Sequence, residues 1–251
     1  MSALRRLAIP LGVAGAVLLL LLVNPWLTLE GTVRQIVTVA FWLISIVLLI
    51  ALFEDRKNPD SAAIEVEGPA FVRFLFNNTR AGLFWLPVRL FVGFAWLEGG
   101  WSHVTNPDWM TAGASLRSYW ERAVAIPETG RPPISFEWYR DFINVLLNGH
   151  HEGWFAWLVA FGEIAIGVGL ILGVLTGVAA FFGALMNMSF LLAGSASTNP
   201  VLFTFAVGLI LAWRVAGYYG VDRYLLPLLG TPWTRAVSVR AGSGSPGMTA
   251  R

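Results

Sequence analysis

Five polar side chains inside or beside long apolar segments are the residues of this chain that could do chemistry. Arg89 and Glu98 flank the run LFVGFAWL, and Glu163 interrupts WFAWLVAFGEIAIGVGLIL. Asn187 lies in FFGALMNMSFLL, and Arg214 follows ILAW near the end of the last apolar segment. At about 1.5 Å of rise per helical residue, Glu163 and Asn187 fall near the middle of a bilayer.

Charged groups at such depths are expected to be paired. A charge at the centre of a spanning helix costs about 2.5–3.5 kcal/mol on insertion scales, so these groups should face the interior of a helical bundle. In one interpretation, Arg89, Glu163 and Arg214 form an ion-pair network that fixes helix register. In the other, they form a proton path and a pocket for a quinone head group. The catalytic residues are then Glu98 and Glu163, and the quinone-binding residues are Arg89, Trp101, Asn187 and Arg214.

The composition indicates an integral membrane protein. Of the 251 residues, 56% are hydrophobic and 13% are charged, whereas soluble domains carry about 25% charged residues. The chain has no cysteine, which excludes thiolate zinc sites and iron–sulfur ligation within it. None of its three histidines lies in an apolar run, so we expect no haem and no metal site. A redox function would therefore use a diffusible quinone or a cofactor of a partner.

The hydropathy pattern predicts an all-α membrane protein with about six spans. The predicted architecture is an N-terminal transmembrane hairpin followed by a four-helix transmembrane bundle. The predicted parts are a hairpin over 1–53, a charged cytoplasmic linker over 54–80, the four-helix domain over 81–233 and a disordered tail over 234–251. The predicted spans are 7–26, 33–53, 81–101, 154–173, 176–194 and 199–219.

Cationic residues predict the orientation of these spans. With both termini in the cytoplasm, ten Lys and Arg residues fall in cytoplasmic segments and five in outer segments, which agrees with the positive-inside rule. The long outer segment 102–153 contains two stretches with helical periodicity, 112–125 and 136–148, which we expect to form amphipathic helices that lie on the membrane surface or cap the bundle. Its arginines are candidate anion-binding groups, namely Arg117, Arg122 and Arg140.

Several motifs resemble those of one membrane-protein family. The segments RLFVGFAWLEGGWSHV, AGASLRSYWERA, WFAWLVAFGEIAIGVGLILG and ILAWRVAGYYGVDRYLLPLLGTPW resemble the DoxX/DoxD family of bacterial and archaeal membrane proteins. The resemblance covers about residues 81–233 and leaves the N-terminal hairpin outside. Within the family, the small subunit of thiosulfate:quinone oxidoreductase is the most suggestive branch.

The resemblance implies a four-helix bundle in a bacterial or archaeal cell membrane that works with quinone beside a partner subunit. It implies oxidation of thiosulfate to tetrathionate coupled to quinone reduction, and it supplies no agreed catalytic residues. The alternative is a non-catalytic accessory or assembly subunit of a membrane redox or respiratory complex. A homo-oligomer is compatible with either function. The sequence contains no nucleic-acid-binding motif, and a transporter would require an inverted repeat that it does not show.

Overall fold

The computed structural model describes residues 3–23, 29, 31–55, 68–231 and 233. These residues form helices and connecting turns, and no strand occurs among them. The chain divides into two compact units, Met1–Glu67 and Gly68–Arg251. The predicted disordered tail, 234–251, and residues 56–67 of the predicted linker lie outside the described residues.

The first unit is a helical hairpin. Helices α1, Ala3–Val23, and α2, Gly31–Asp55, pack against each other along their lengths. Small residues sit at the contact, because the Cβ position of Gly12 lies 3.9 Å from Leu48 and that of Gly15 lies 3.8 Å from Ile44. Both helices expose large apolar side chains on their remaining faces, as expected for helices in lipid.

The second unit contains the predicted four-helix part. Helices α4, α8, α9 and α10 form a ring in which each packs against the next, and α10 packs back on α4. The segment predicted as the end of the linker begins this unit with a helix, α3. The helices of this unit are α3 (Ala70–Asn77), α4 (Gly82–Val104), α5 (Pro107–Met110), α6 (Ala114–Val124), α7 (Glu137–Asn148), α8 (Glu152–Leu172), α9 (Thr176–Leu192), α10 (Asn199–Leu211), α11 (Trp213–Ala216) and α12 (Asp222–Leu228).

Three helical segments are long and apolar enough to cross a membrane. They are Gly31–Ala51, Thr79–Val104 and Glu152–Leu172. Three further apolar helical segments, Leu7–Leu22, Thr176–Leu192 and Asn199–Leu211, are shorter. The chain is thus all-helical in its described part and carries three candidate membrane spans, while the larger number of spans stays a prediction.

The predicted sixth span, 199–219, is wrong as a continuous helix. Helix α10 ends at Leu211, and a short helix, Trp213–Ala216, follows after Ala212. The chain then turns, and the backbone N–H groups of Val221 and Asp222 donate hydrogen bonds to the carbonyls of Leu172 and Gly173 at the end of α8. These contacts require the chain to leave the helical path, which apolar periodicity alone does not reveal.

Glycines bring α4 and α8 into close contact. A Cβ on Gly100 would lie 2.8 Å from the backbone nitrogen of Ile164 and 3.0 Å from the carbonyl oxygen of Ala160. A Cβ on Gly167 would lie 2.7 Å from the nitrogen of Leu97. Small residues of this kind let helix backbones approach each other in membranes. The tight contact fixes the depth of α4 relative to α8.

We expect Gly100→Ala to destabilise the bundle by about 1–3 kcal/mol, because backbone atoms of α8 cannot move aside without shifting the helix. The free energy of unfolding in mixed micelles measures this change. Gly153→Ala is the matched control, since the nearest atom to its Cβ position is 3.8 Å away. Equal stability of the two variants would contradict tight α4–α8 packing.

Residues 105–151 form a cap over one end of the ring. The two predicted amphipathic helices are confirmed as α6 and α7, and each buries its apolar face: Leu116, Trp120 and Ala123 on α6, and Tyr139, Ile143, Leu146 and Leu147 on α7. These side chains pack with Ala156 and Ala160 near the start of α8. The cap therefore shields this end of the bundle with its own apolar core.

Candidate functional site

Arg89 lies buried near the end of the bundle opposite the cap. Its side chain is 2% exposed. The guanidinium donates hydrogen bonds to the carbonyl oxygens of Ala216 at 3.3 Å and Tyr219 at 3.1 Å. It therefore holds the turn that follows α11, and it does not meet the carboxylates predicted to be its partners.

Asp222 completes this end of the bundle. Its fully buried carboxylate accepts hydrogen bonds from the backbone nitrogens of Leu175 at 2.6 Å and Thr176 at 2.8 Å, at the start of α9. A carboxylate at a helix N-terminus satisfies backbone donors that lack partners in the helix. Arg89 adds a favourable electrostatic interaction with Asp222. The pair stabilises the α8–α9 turn against the 212–222 turn.

Gly173 makes this arrangement possible. It has a positive φ of 67°, which L side chains rarely adopt. Its Cβ position would also collide with the Arg89 guanidinium. Both the turn after α8 and the space for Arg89 therefore require glycine here.

Glu163 has a different partner from those predicted. Its Oε2 lies 2.7 Å from Nδ1 of His103. The Glu163 side chain is 4% exposed, whereas that of His103 is 26% exposed. The imidazole also stacks on the indole of Trp109, with ring centroids 3.8 Å apart and planes inclined by 11°. The predicted ion-pair network of Arg89, Glu163 and Arg214 is therefore wrong.

Asn187 and Trp96 add polar atoms at a similar depth. Asn187 is fully buried, and neither of its amide atoms has a hydrogen-bond partner within the described residues; the same holds for Nε1 of Trp96. Nε1 of Trp96 lies 3.0 Å from the Cβ position of Gly183, one helical turn from Asn187. Ile166 of α8 lies 3.3 Å from the same Cβ position of Gly183. This turn of α9 therefore packs against α8 near Glu163.

These three side chains define a polar layer, by which we mean Glu163, Asn187 and Trp96. Helices α8 and α9 run in opposite directions. Glu163, about one turn before Ile166 on α8, therefore lies at about the same level as Asn187, about one turn after Gly183 on α9. Buried polar groups in proteins nearly always have hydrogen-bond partners. The layer is therefore a place where the bundle interior can bind water or another small polar group.

The remaining predicted site residues lie on the surface of the bundle. Glu98 is exposed on α4, and Trp101 is 63% exposed. Arg214 is also exposed, with its guanidinium 5.3 Å from the ring centroid of Trp213. The prediction that Glu98 and Arg214 face the interior is thus wrong. Of the predicted site residues, only Arg89, Glu163 and Asn187 are buried.

A large apolar cavity lies between α8 and α9 and reaches under the cap. Its volume is about 680 Å³, within the usual range of ligand pockets, about 300–1,000 Å³. Leu158, Val178 and Leu185 line it and remain 49–58% exposed, so the cavity opens on the surface of the bundle. Glu163 and Asn187 are not part of the lining.

Tyrosines mark the end of this cavity under the cap. The hydroxyl of Tyr139 donates a hydrogen bond of 2.9 Å to the carbonyl of Ser189. The hydroxyl of Tyr119 is buried, and it forms no hydrogen bond of good geometry with the described residues. Burial raises the pKa of Tyr119 to about 12, although an interaction with Ser195 opposes the shift. Burial also raises the pKa of Tyr139.

Because burial favours the neutral phenol of Tyr119, the native state holds its proton at pH values where an unfolded tyrosine has lost it. Stability should therefore be unaffected below about pH 10 and fall between about pH 10 and about pH 12. We expect Tyr119→Phe to remove the latest step of phenolate formation in an alkaline absorbance titration. Tyr224→Phe, at a residue that is 71% exposed, should leave that step intact. If the absorbance titration of Tyr119→Phe showed the same late step of phenolate formation as the parent, the burial of the Tyr119 hydroxyl would be contradicted.

The arginines predicted to bind anions are mostly engaged by the cap itself. Arg117 contacts Glu121 at 2.9 Å and Glu152 at 3.0 Å, and these carboxylates raise its pKa. Arg140 donates to the carbonyl of Ile134. Arg122 is exposed and takes part in none of the ion pairs found in the described part of the chain.

Three features of the candidate site were not predicted from the sequence, namely His103, Tyr119 and the cavity. The sequence contained one signal for His103, because Gly99 and His103 lie four residues apart in a helix and share a face. In the structure, the Cβ position of Gly99 is 3.6 Å from Glu163, so this face meets Glu163.

Comparisons of the chain with protein-family models, with curated proteins and with solved structures gave no match.

Proposed function

We propose that this protein is a membrane subunit of a quinone-linked oxidoreductase and that the cavity between α8 and α9 is its quinone site. The cavity carries this proposal because its size and apolar lining suit a prenylated ring. Its opening between exposed apolar side chains offers a lateral entry from lipid. Tyr119 lines the cavity, and its hydroxyl has no hydrogen-bond partner among the described residues, which supports it as the donor to a ring carbonyl.

The membrane arrangement is part of this proposal. The three candidate spans and the three shorter apolar helical segments together form a six-helix protein of a bacterial or archaeal cell membrane. Both termini lie in the cytoplasm, and the cap faces outward. A helix of 13 residues such as α10 is about 20 Å long and spans the hydrocarbon core only together with the turn that follows it.

A quinone accepts two electrons and two protons when it is reduced. In the proposed site, the protein orients the ring through the Tyr119 hydroxyl, excludes water with the apolar lining and admits the tail between α8 and α9. The resemblance to DoxX/DoxD proteins supports thiosulfate as the electron donor, delivered at the cap side with a partner subunit. Glu98 and Trp101 lie outside the cavity lining, so a role for them would be at the surface that meets the donor or the partner.

The test is thiosulfate-dependent reduction of a water-soluble quinone analogue by membranes that contain the full chain. We expect a rate above that of membranes without the chain, and a loss of most of this rate in Tyr119→Phe. Tyr224→Phe serves as the matched control, because Tyr224 is 71% exposed and lies outside the lining.

The same assay separates the alternative function. An accessory or assembly subunit would show no quinone reduction in these membranes, yet its deletion would lower the amount of an assembled redox complex. Quinone bound to the purified chain without turnover would place the chain as a quinone-binding subunit that needs its partner.

A further inference from the structure

Glu163 and His103 form a titratable pair outside the cavity. The Glu163 side chain is 4% exposed and the His103 side chain is 26% exposed. Oε2 of Glu163 and Nδ1 of His103 are 2.7 Å apart, so the pair connects a buried position with a partly accessible one. His103 stands at the end of α4 where the cap begins. A proton can therefore pass between the cap surface and the bundle interior through one imidazole and one carboxylate.

Stacking fixes the orientation of this imidazole. The face of Trp109 lies parallel to the His103 ring, with ring centroids 3.8 Å apart. The indole itself is fixed, since Nε1 of Trp109 donates a hydrogen bond of 2.9 Å to the carbonyl of Ala156 on α8. The ring is thus held in position for transfer between Nδ1 and Oε2.

The elements packed around the pair carry further charged side chains, and none of them is within ion-pair distance of Glu163 among the described residues. Among the described residues, His103 is the cationic group within 4.0 Å of Glu163. On α8, Glu152 lies eleven residues away and contacts Arg117. Helices α9 and α10 carry no ionisable side chain. The other charged groups on packed elements are Arg89 and Glu98 on α4, Asp108 on α5, Arg117, Glu121 and Arg122 on α6, and Arg214 on α11.

The interior side of the pair leads to the polar layer. Glu163 lies at about the level of the buried amide of Asn187, and the indole nitrogen of Trp96 lies about one helical turn away, beside Gly183. The Asn187 amide and the Trp96 indole nitrogen have no hydrogen-bond partner within the described residues. Buried groups of this kind typically bind ordered water. Water bound at this layer would give a protonated Glu163 a hydrogen-bond partner on its interior side.

We infer that the Glu163–His103 pair is a proton-exchange site that connects the cap surface of the bundle with its polar layer. A proton from water binds Nε2 of the partly accessible imidazole, and the Nδ1 proton moves to Oε2 of Glu163, which leaves a neutral imidazole with its proton on Nε2. Return of the Glu163 proton to Nδ1 and loss of the Nε2 proton to water reverse the exchange. No electron moves in this step. The inference does not depend on what occupies the cavity between α8 and α9.

A hydrophobic carbodiimide tests it, because such reagents react with a protonated carboxyl group in apolar surroundings. The acid proton moves to a carbodiimide nitrogen while the carboxyl oxygen bonds to the central carbon, and rearrangement gives a stable acylurea. The purified full chain in vesicles is treated at about pH 6 and about pH 8, a range in which histidine titrates. Mass spectrometry then measures the fraction of Glu163 that carries the label.

We expect at least threefold more label on Glu163 at the lower pH, following the pH on the cap side of the vesicle. His103→Gln should abolish this dependence, and His150→Gln, at an exposed histidine of the cap, should preserve it. A purely structural pair would give no label at either pH, or labelling that His103→Gln leaves unchanged. Either result, or a response to the pH of the opposite side, would overturn the inference. The assay contains no quinone or thiosulfate, so its outcome is separate from that of the proposed function.

Discussion

Replacing Ala165 with phenylalanine is expected to weaken the proposed binding of quinone at least about tenfold. Ala165 lines the cavity between α8 and α9 and is itself exposed to it, so a benzyl side chain would occupy the space proposed for the ring. Loss of a few well-packed ring contacts corresponds to at least about tenfold weaker binding, since about 1.4 kcal/mol is a factor of ten. Titration of the purified chain with a quinone analogue, followed by quenching of tryptophan fluorescence, measures the affinity.

The matched control is Val168→Phe on the same helix. Val168 is 40% exposed and is not part of the cavity lining, so the same ring added there should leave binding unchanged. Both variants should unfold at similar temperatures. Unchanged affinity in a folded Ala165→Phe protein would mean that the cavity is not the quinone site.

The second large effect is a loss of stability in Asp222→Ala. The change removes both hydrogen bonds to the start of α9 and leaves the buried Arg89 without its nearby opposite charge. Breaking a buried charged arrangement by removing one partner typically costs about 3–5 kcal/mol. We expect a loss of this size in the free energy of unfolding, measured in mixed micelles.

Glu128→Gln tests whether removal of any negative charge has this effect. Glu128 is exposed in the cap, so its substitution should leave stability nearly unchanged. The free energy of unfolding of Asp222→Asn should lie between those of Asp222→Ala and the parent, because the amide oxygen can still accept one of the two backbone hydrogen bonds. A stability of Asp222→Ala equal to that of Glu128→Gln would contradict the proposed link between Arg89 and the α8–α9 turn.

The helices of this protein could be predicted because they depend on local pattern. Apolar runs and the periodicity of α6 and α7 are properties of neighbouring residues, and the structure contains both cap helices. Burial of Arg89, Glu163 and Asn187 was also predictable from the high cost of a charge or amide in lipid. Exposure of Arg214 was not, because it follows from the end of α10 at Leu211.

The partners of the buried groups could not be predicted from depth alone. Depth alone suggested that Glu163 pairs with Arg89 and Arg214, but the rotation of each helix about its axis decides which residues meet. The close contact of Gly100 with α8 turns His103 toward Glu163, and Arg89 instead meets a turn formed 127 residues later in the chain. The cavity depends on the separation of α8 and α9, to which no single residue type corresponds.

The most direct test of the account is photolabelling of the purified full chain with an azido-substituted prenylquinone, followed by mapping of the labelled residues. The proposed function predicts label on the facing sides of α8 and α9 and beside Tyr119. Unlabelled quinone should compete for this label, and Ala165→Phe should lose it. Label confined to α1 and α2, or label that unlabelled quinone does not displace, would contradict a quinone site between α8 and α9.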